Sequence, residues 1–292
     1  MTVWIYLNDR FVREEEALVS VFDHGFLYGD GVYETLRSYG DKIFMRDQHL
    51  ARLQRSADAI GLTIPERDWP SLLHESMSRN NVGDDRTDAY IRITISRGRG
   101  EIGLDPALCP TPTTVIMTSR LKPPPQERYR TGVSLVIAKT RRNLPSALDP
   151  QIKATNFLNN IQAKREAIAA GAFDSVLLNW KGHVTECTVS NLFFVQSGRL
   201  CTPARSCGIL DGITRGVILA LARDADIPVH EGEFSVEALL AAGECFLSNT
   251  TMEVMPATSL GGRPIGSGTP GPLTSRLHQI FVTQRRKFLE PS

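Results

Sequence analysis

The chain has 292 residues, room for two domains of ordinary size, and its 41% hydrophobic and 22% charged residues are the balance of a folded globular protein. A net charge of +1 supplies no global field that would recruit nucleic acid or an acidic membrane surface. Five cysteines without a CxxC pair and six histidines without an HExxH argue against a disulfide framework and against a metal site, and fit a reducing, cytoplasmic setting.

The opening MTVWIYLNDRFVREEE lacks the basic start and apolar core of a signal peptide. No apolar run reaches the roughly 18 residues of a membrane span. Strand-like pieces are expected at residues 4–7 and 18–22. Residues 32–39 and 42–45 flank Gly40-Asp41 and read as a hairpin. Asp47 is the expected N-cap of a helix that carries Leu50, Leu53, Ala57 and Ile60 at helical spacing and stops at Gly61. A second helix over 67–80 and strands over 89–96 and 114–118 complete the first half. The run Pro123-Pro124-Pro125 lacks amide donors and favours a stiff, extended path. The domain boundary is placed there: residues 1–118 form a small first domain, 119–130 a linker and 131–292 a larger second domain. In the second half, strands are expected at 133–137, 175–179, 188–195 and 245–248, with helices near 155–170, 214–225, 235–242 and 271–287. The Gly/Pro-rich stretch 261–272 reads as a loop inside the second domain. The fold class is α/β, or α+β, with two domains in series.

Five segments carry candidate chemistry. Lys153 precedes a helix whose first turn is crowded by Thr155, Asn156, Asn159 and Asn160, and whose Leu158, Ile161 and Ile168 suggest a buried stripe. A lysine near a desolvated site loses proton affinity and becomes a nucleophilic amine, although a lysine in such a place is more often solvated. Gly208 to Arg215 is a glycine turn feeding a helix, where the amides of Ile213 and Thr214 and the Thr214 hydroxyl suit a phosphate; it matches neither nucleotide-binding glycine pattern. Ser248, Asn249, Thr250 and Thr251 end an apolar strand, and read equally well as an ordinary turn. Glu186 enters an apolar run, which is costly for a carboxylate without a partner; an edge strand with Glu186 in solvent is the rival. Asp23 to Arg37 sets three glycines and two tyrosines before a strand, and Arg52 follows on a helix, either as a surface residue or as a phosphate clamp. Lys139, Arg141 and Arg142 read as a solvated basic loop rather than a nucleic-acid site.

Together and in this order, the five segments resemble the class IV (fold type IV) pyridoxal-phosphate-dependent aminotransferases, over about residues 3–285. The resemblance implies that pyridoxal 5'-phosphate is the cofactor, that Lys153 forms the Schiff base with it, that Glu186 pairs with its pyridine nitrogen, and that Arg52, Ile213, Thr214 and Thr250 hold its phosphate. Ala89-Tyr90-Ile91-Arg92 and the loop Ser96 to Pro106 are most similar to branched-chain amino acid aminotransferases. Tyr90 and Arg92 would then receive the substrate α-carboxylate, and Tyr28 and Tyr33 would line an apolar side-chain pocket. Arg92, Arg97 and Arg99 are candidates for the second carboxylate of glutamate, and Thr250 and Thr251 complete the expected substrate contacts. D-amino acid aminotransferases carry an arginine and a histidine where Ile102 and Leu104 stand here. Phe157, Thr35 and Arg99 depart from the branched-chain pattern. The expected activity is transfer between branched-chain L-amino acids and 2-oxoglutarate. The alternatives are a D-amino acid aminotransferase, an aminodeoxychorismate lyase, or, more remotely, a non-catalytic protein that binds a phosphate ligand. The expected partners are amino acids and 2-oxo acids, with neither nucleic acid nor membrane, and a homodimer or higher homo-oligomer in which loops of one subunit close the other's site.

Overall fold

The computed structural model describes residues 2–84 and 87–289, in two compact units. The first takes the described residues up to Lys122, the segment Ile152–Asn156 and the stretch from Lys287 on; the second takes Pro123–Gln151 and Phe157–Arg286.

The first unit is built on a six-stranded antiparallel sheet of β1 (Trp4–Leu7), β2 (Arg10–Arg13), β3 (Gly31–Tyr39), β4 (Lys42–Ile43), β5 (Ala89–Ser96) and β6 (Thr113–Arg120), in the order β2-β1-β6-β5-β3-β4. Period-2 alternation explains its two faces. Ala89, Ile91, Ile93 and Ile95 of β5 are buried on one side, and Tyr90, Arg92 and Thr94 stand on the other. The helices are α1 (His24–Tyr28), α2 (Arg46–Ala59) and α3 (Trp69–Arg79). Leu53 and Ala57 of α2, with Leu73 and Met77 of α3, pack on the isoleucine face of β5. Each such large side chain taken from water contributes roughly 1.5–3 kcal/mol.

The second unit holds β7 (Val133–Arg141), β8 (Asp174–Leu178), β9 (Val184–Cys187), β10 (Asn191–Gln196), β11 (Arg199–Pro203), β12 (Val229–Gly232), β13 (Glu244–Asn249), β14 (Glu253–Leu260) and β15 (Arg263–Pro264). They form one mixed sheet in the order β12-β11-β10-β13-β14-β7-β8-β9, with β15 on β14. Its helices are α4 (Gln126–Thr131), α5 (Leu158–Ala169), α6 (Ile213–Asp224), α7 (Val236–Leu240) and α8 (Pro272–Gln284). A core of Leu192, Phe194, Leu247 and Met255 fills one side of the sheet. Among the described residues no helix is long and apolar enough to cross a membrane.

Four local expectations are corrected. Residues 18–22 form no strand; their apolar side chains are exposed. Helix α2 starts at Arg46 behind Met45, whose backbone is left-handed (φ 50°), so Asp47 sits inside the first turn and accepts from Arg46 instead of capping. The expected strand over 188–195 is split: β9 ends at Cys187, a turn whose Cys187 amide donates to the Ser190 carbonyl follows, and β10 begins at Asn191. On α5 the apolar stripe is not buried: Leu158, Ile161 and Ile168 are 68%, 52% and 66% exposed, and the helix packs through Ala163 and Ala167 instead.

Candidate active site

In the first unit, the site grows from the uncovered half of β3. Strand β4 pairs only with Ser38 and Tyr39, so the N-terminal end of β3 has an open edge. The segment around Lys153 occupies it. The Tyr33 amide donates to the Lys153 carbonyl (3.0 Å), and the Thr155 amide to the Gly31 carbonyl (2.9 Å). The Thr155 hydroxyl donates to the Gly29 carbonyl (2.8 Å), and the Lys153 amide to Ser56 Oγ on α2 (3.1 Å). Glycine is required at 31 by the packing of β3 on β5, where a Cβ would stand 2.8 Å from the Ile95 carbonyl oxygen, and the Thr155 hydroxyl oxygen would be 3.2 Å away on the segment's side.

Lys153 Nζ donates to the Tyr33 hydroxyl (3.1 Å) and lies 4.4 Å from the centre of its ring. The Arg92 guanidinium stacks on that ring at 4.0 Å, and its Nε donates to Thr94 Oγ1. Register explains the grouping: Tyr33 pairs with Thr94, Thr35 with Arg92 and Arg37 with Tyr90, so these side chains share one sheet face. Burial, opposed by Arg92, pushes the Tyr33 phenol well up, so the hydroxyl stays protonated and accepts from the amine.

The opposite face of β3 presents Glu34 to α2. Arg52 donates through Nε to Glu34 Oε1 (2.6 Å) and through Nη2 to Oε2 (2.9 Å), and His49 Nδ1 lies 2.7 Å from Oε2. Burial alone would raise the Glu34 pKa, but the Arg52 guanidinium and His49 outweigh it and hold the carboxyl far below the usual carboxylate range. Burial lowers the His49 pKa, so the imidazole is neutral and donates from Nδ1.

In the second unit, Glu186 is buried on β9, which ends the sheet, so the strand is an edge strand but its carboxylate is not in solvent. Oε1 accepts from Arg142 (3.0 Å), and Oε2 from the Leu210 amide (3.1 Å) and Asn191 Nδ2 (3.2 Å). Asn191 also donates to the Leu210 carbonyl (2.9 Å), tying this carboxylate to the loop that leads into α6. The N-cap of α6 is Gly212, where a Cβ would fall 2.0 Å from Asn191 Oδ1. The first amides of α6 have no partner within the helix, and the buried Thr214 hydroxyl, like those of Ser190 and Ser248, has no hydrogen-bond partner among the described residues. An unsatisfied buried hydroxyl at a helix N-terminus fits an anionic group such as the phosphate of a cofactor.

The model of the amino-transferase class IV family matches residues 31–260. The chain belongs to the class IV aminotransferases. A Methanocaldococcus jannaschii protein provisionally named branched-chain-amino-acid aminotransferase is 38% identical over 286 residues, covering 97% of each chain. A Listeria monocytogenes D-alanine aminotransferase is 34% identical over 282 residues, covering 96% of this chain and 95% of the relative. The solved branched-chain amino acid aminotransferase of Escherichia coli superposes with a TM-score of 0.91 at 29% identity, covering 100% of this chain and 97% of that one.

Within this aminotransferase, the Lys153 amine meets Tyr33 on the sheet face that carries Tyr90 and Arg92, while Glu186 holds the Leu210 amide in the loop before α6, whose first residues are Ile213 and Thr214. Arg52 is buried on Glu34. Tyr28 packs edge-on to His24, and its hydroxyl accepts from the Gly103 amide. Arg97 is an internal brace: it donates to both Asp30 oxygens and to the carbonyls of Ile60 and Gly61. Arg99 is exposed and bridges the backbone of Asp23. Thr250 lies in the turn after β13, and the Thr251 hydroxyl donates to Asn249 Oδ1. The sequence reading missed three participants. Arg142 is not part of a solvated patch but the buried partner of Glu186. The Tyr33 hydroxyl serves Lys153 rather than only lining a wall, and the Glu34–His49 pair holds Arg52. The signal for Glu34 was present: a carboxylate inside Val32-Tyr33-Glu34-Thr35-Leu36 raises the same partner question as Glu186.

Proposed function

We propose that this class IV aminotransferase uses pyridoxal 5'-phosphate to exchange an amino group between branched-chain L-amino acids and 2-oxoglutarate. The observation that carries the reading is Lys153 Nζ on Tyr33, on the sheet face that also bears Tyr90 and Arg92. Pyridoxal phosphate, when bound, supplies a sink for the electrons left when the substrate's α-C–H bond breaks. Lys153 Nζ would carry the cofactor and, once released from it, take and return the α-proton. The Tyr33 hydroxyl orients that amine. Glu186, fixed by Arg142, would keep a proton on the ring nitrogen. The first amides of α6, the Thr214 hydroxyl, Arg52 and Thr250 would bind the phosphate. Tyr90 and Arg92 would receive the α-carboxylate, and Arg99 the second carboxylate of 2-oxoglutarate. Exposed Ile102 and Leu104, 75% and 84% accessible, with exposed Phe26, support a homodimer in which a second copy covers this surface. Free cysteines, four of them buried, support a cytoplasmic enzyme.

The test is the single-turnover absorbance change of the cofactor-loaded protein with each amino acid enantiomer. Ile102 and Leu104 offer no charge to a D-substrate carboxylate, and an apolar wall at Tyr28 and Tyr33 contributes about 1.5–3 kcal/mol for a branched side chain, roughly ten- to hundred-fold in rate. L-leucine, L-isoleucine or L-valine should therefore react faster than D-alanine or D-glutamate. If a D-amino acid outpaces every branched L-amino acid, the chain is a D-amino acid aminotransferase. Release of pyruvate from aminodeoxychorismate, without transamination, would identify the lyase alternative instead.

A further inference from the structure

We propose that the Ser248 hydroxyl is a further ligand of the cofactor phosphate, donating to it from the sheet while the first turn of α6 donates from the helix. The inference rests on the reading of the α6 N-terminus as the phosphate site. It starts from two hydroxyls. Thr214 and Ser248 are only 2% and 1% exposed, and neither hydroxyl has a hydrogen-bond partner among the described residues. A buried donor without an acceptor is destabilising, so each of the two calls for a partner from outside the chain.

Strand register sets Ser248 toward the start of α6. Ser248 lies directly opposite Asn191 in the antiparallel pair of β13 and β10, and directly opposed residues point to the same side of a sheet. The Asn191 side chain marks that side. It donates to the Leu210 carbonyl (2.9 Å), and a Cβ on Gly212, the N-cap of α6, would fall 2.0 Å from its Oδ1. Ser248 therefore faces the loop and first turn where Thr214 stands, and α6 packs on β13. Two residues before Ser248 on the same face, Phe246 stacks on Phe193 with ring centres 4.8 Å apart. That buried pair holds the register, and a slip of one residue would turn Ser248 to the other side of the sheet. A phosphate monoester offers three strong acceptor oxygens, so it can take hydroxyls from strand and helix as well as the α6 amides. Neither hydroxyl gives up an existing hydrogen bond in doing so, and bonds to a charged acceptor are the stronger kind.

The experiment compares two probes on the full chain: pyridoxal 5'-phosphate and pyridoxal, which lacks the phosphate. Dissociation constants are read from absorbance for wild type, Ser248→Ala, Ser248→Cys and Thr214→Val, together with the thermal midpoint of each cofactor-free protein. Ser248→Ala should weaken pyridoxal phosphate about tenfold and leave pyridoxal within about twofold. Its cofactor-free midpoint should equal or exceed that of wild type, because the hydroxyl removed has no partner in the fold to lose. Ser248→Cys keeps nearly the same shape with a weak donor, should behave alike, and decides the matter if Ser248→Ala does not fold. Thr214→Val tests the underlying reading and should also weaken pyridoxal phosphate selectively. A Ser248→Ala protein that binds pyridoxal phosphate like wild type, alongside a loss in Thr214→Val, would overturn the proposal and leave the α6 reading standing. Equal weakening of both probes with a lowered midpoint would also overturn it, because Ser248 would then be a structural brace. If Thr214→Val binds pyridoxal phosphate like wild type, the α6 reading itself falls and the proposal with it, a result distinct from the failure of Ser248 alone.

Discussion

At the scale of single residues, the two buried strand carboxylates nearest the candidate chemistry each have an arginine. Glu34 has Arg52, and Glu186 has Arg142. The pairs differ in what else they hold. Glu34 is shared with a histidine, whereas Glu186 is shared with Asn191 and the Leu210 amide. Glu186 was legible in the sequence because burial of a lone carboxylate demands a partner. The identity of that partner was not, because Arg142 lies 44 residues away behind a loop that composition alone describes as basic and solvated. Tyr33 was legible as an apolar wall, but its hydroxyl contact with Lys153 depends on which segment fills the open edge of β3, and no local pattern carries that. The Glu186 assignment has a direct consequence. Glu186→Gln should keep bound pyridoxal phosphate, since Lys153 and the phosphate contacts are untouched, yet lose about 10²-fold or more in single-turnover rate, because the electron sink weakens when the ring nitrogen loses its charged partner. A variant that retains wild-type rates would remove Glu186 from the chemistry.

At the scale of elements, periodicity located the long strands and helices and misjudged some of their faces. Helix α5 is the instructive case. Its large apolar residues suggest the buried stripe, but it lies on β7 and β8 through Ala163 and Ala167, against Ala138 and Leu177. Small side chains let a helix approach a sheet closely, so the inward face need not be the most hydrophobic one. Strand β14 was missed for a related reason. Pro256 sits in its middle, and a proline argues against a central strand, yet β14 lies between β13 and β7; the ladder to β7 shifts register between Ala257 and Ser259, next to the proline. Residues 18–22, apolar and β-branched, were read as a strand but lie exposed, as do Ile102 and Leu104 in the loop after β5. Apolar surface left in water on a folded protein calls for a cover. Light scattering on the purified protein should give twice the 32.3 kDa of one chain. A mass of one chain at micromolar concentration would contradict the homodimer.

At the scale of the whole molecule, composition offers a single cut in the chain at its proline run, but the two units are interleaved. Ile152–Asn156 leaves the second stretch of sequence to be counted with the first unit, and the stretch from Lys287 on does the same. Lys153 therefore belongs to the first unit and Glu186 to the second. Family membership was legible because five short segments keep their order; the local support of each functional side chain was not, because it comes from residues distant in sequence. The central claim is that Lys153 carries pyridoxal phosphate in a transaminating enzyme. Borohydride reduction of the cofactor-loaded protein, followed by peptide mapping, tests it most directly. The protein should be yellow, with the pyridoxyl label on Lys153 and no label in Lys153→Ala. A label on any other lysine of the wild-type protein would contradict it.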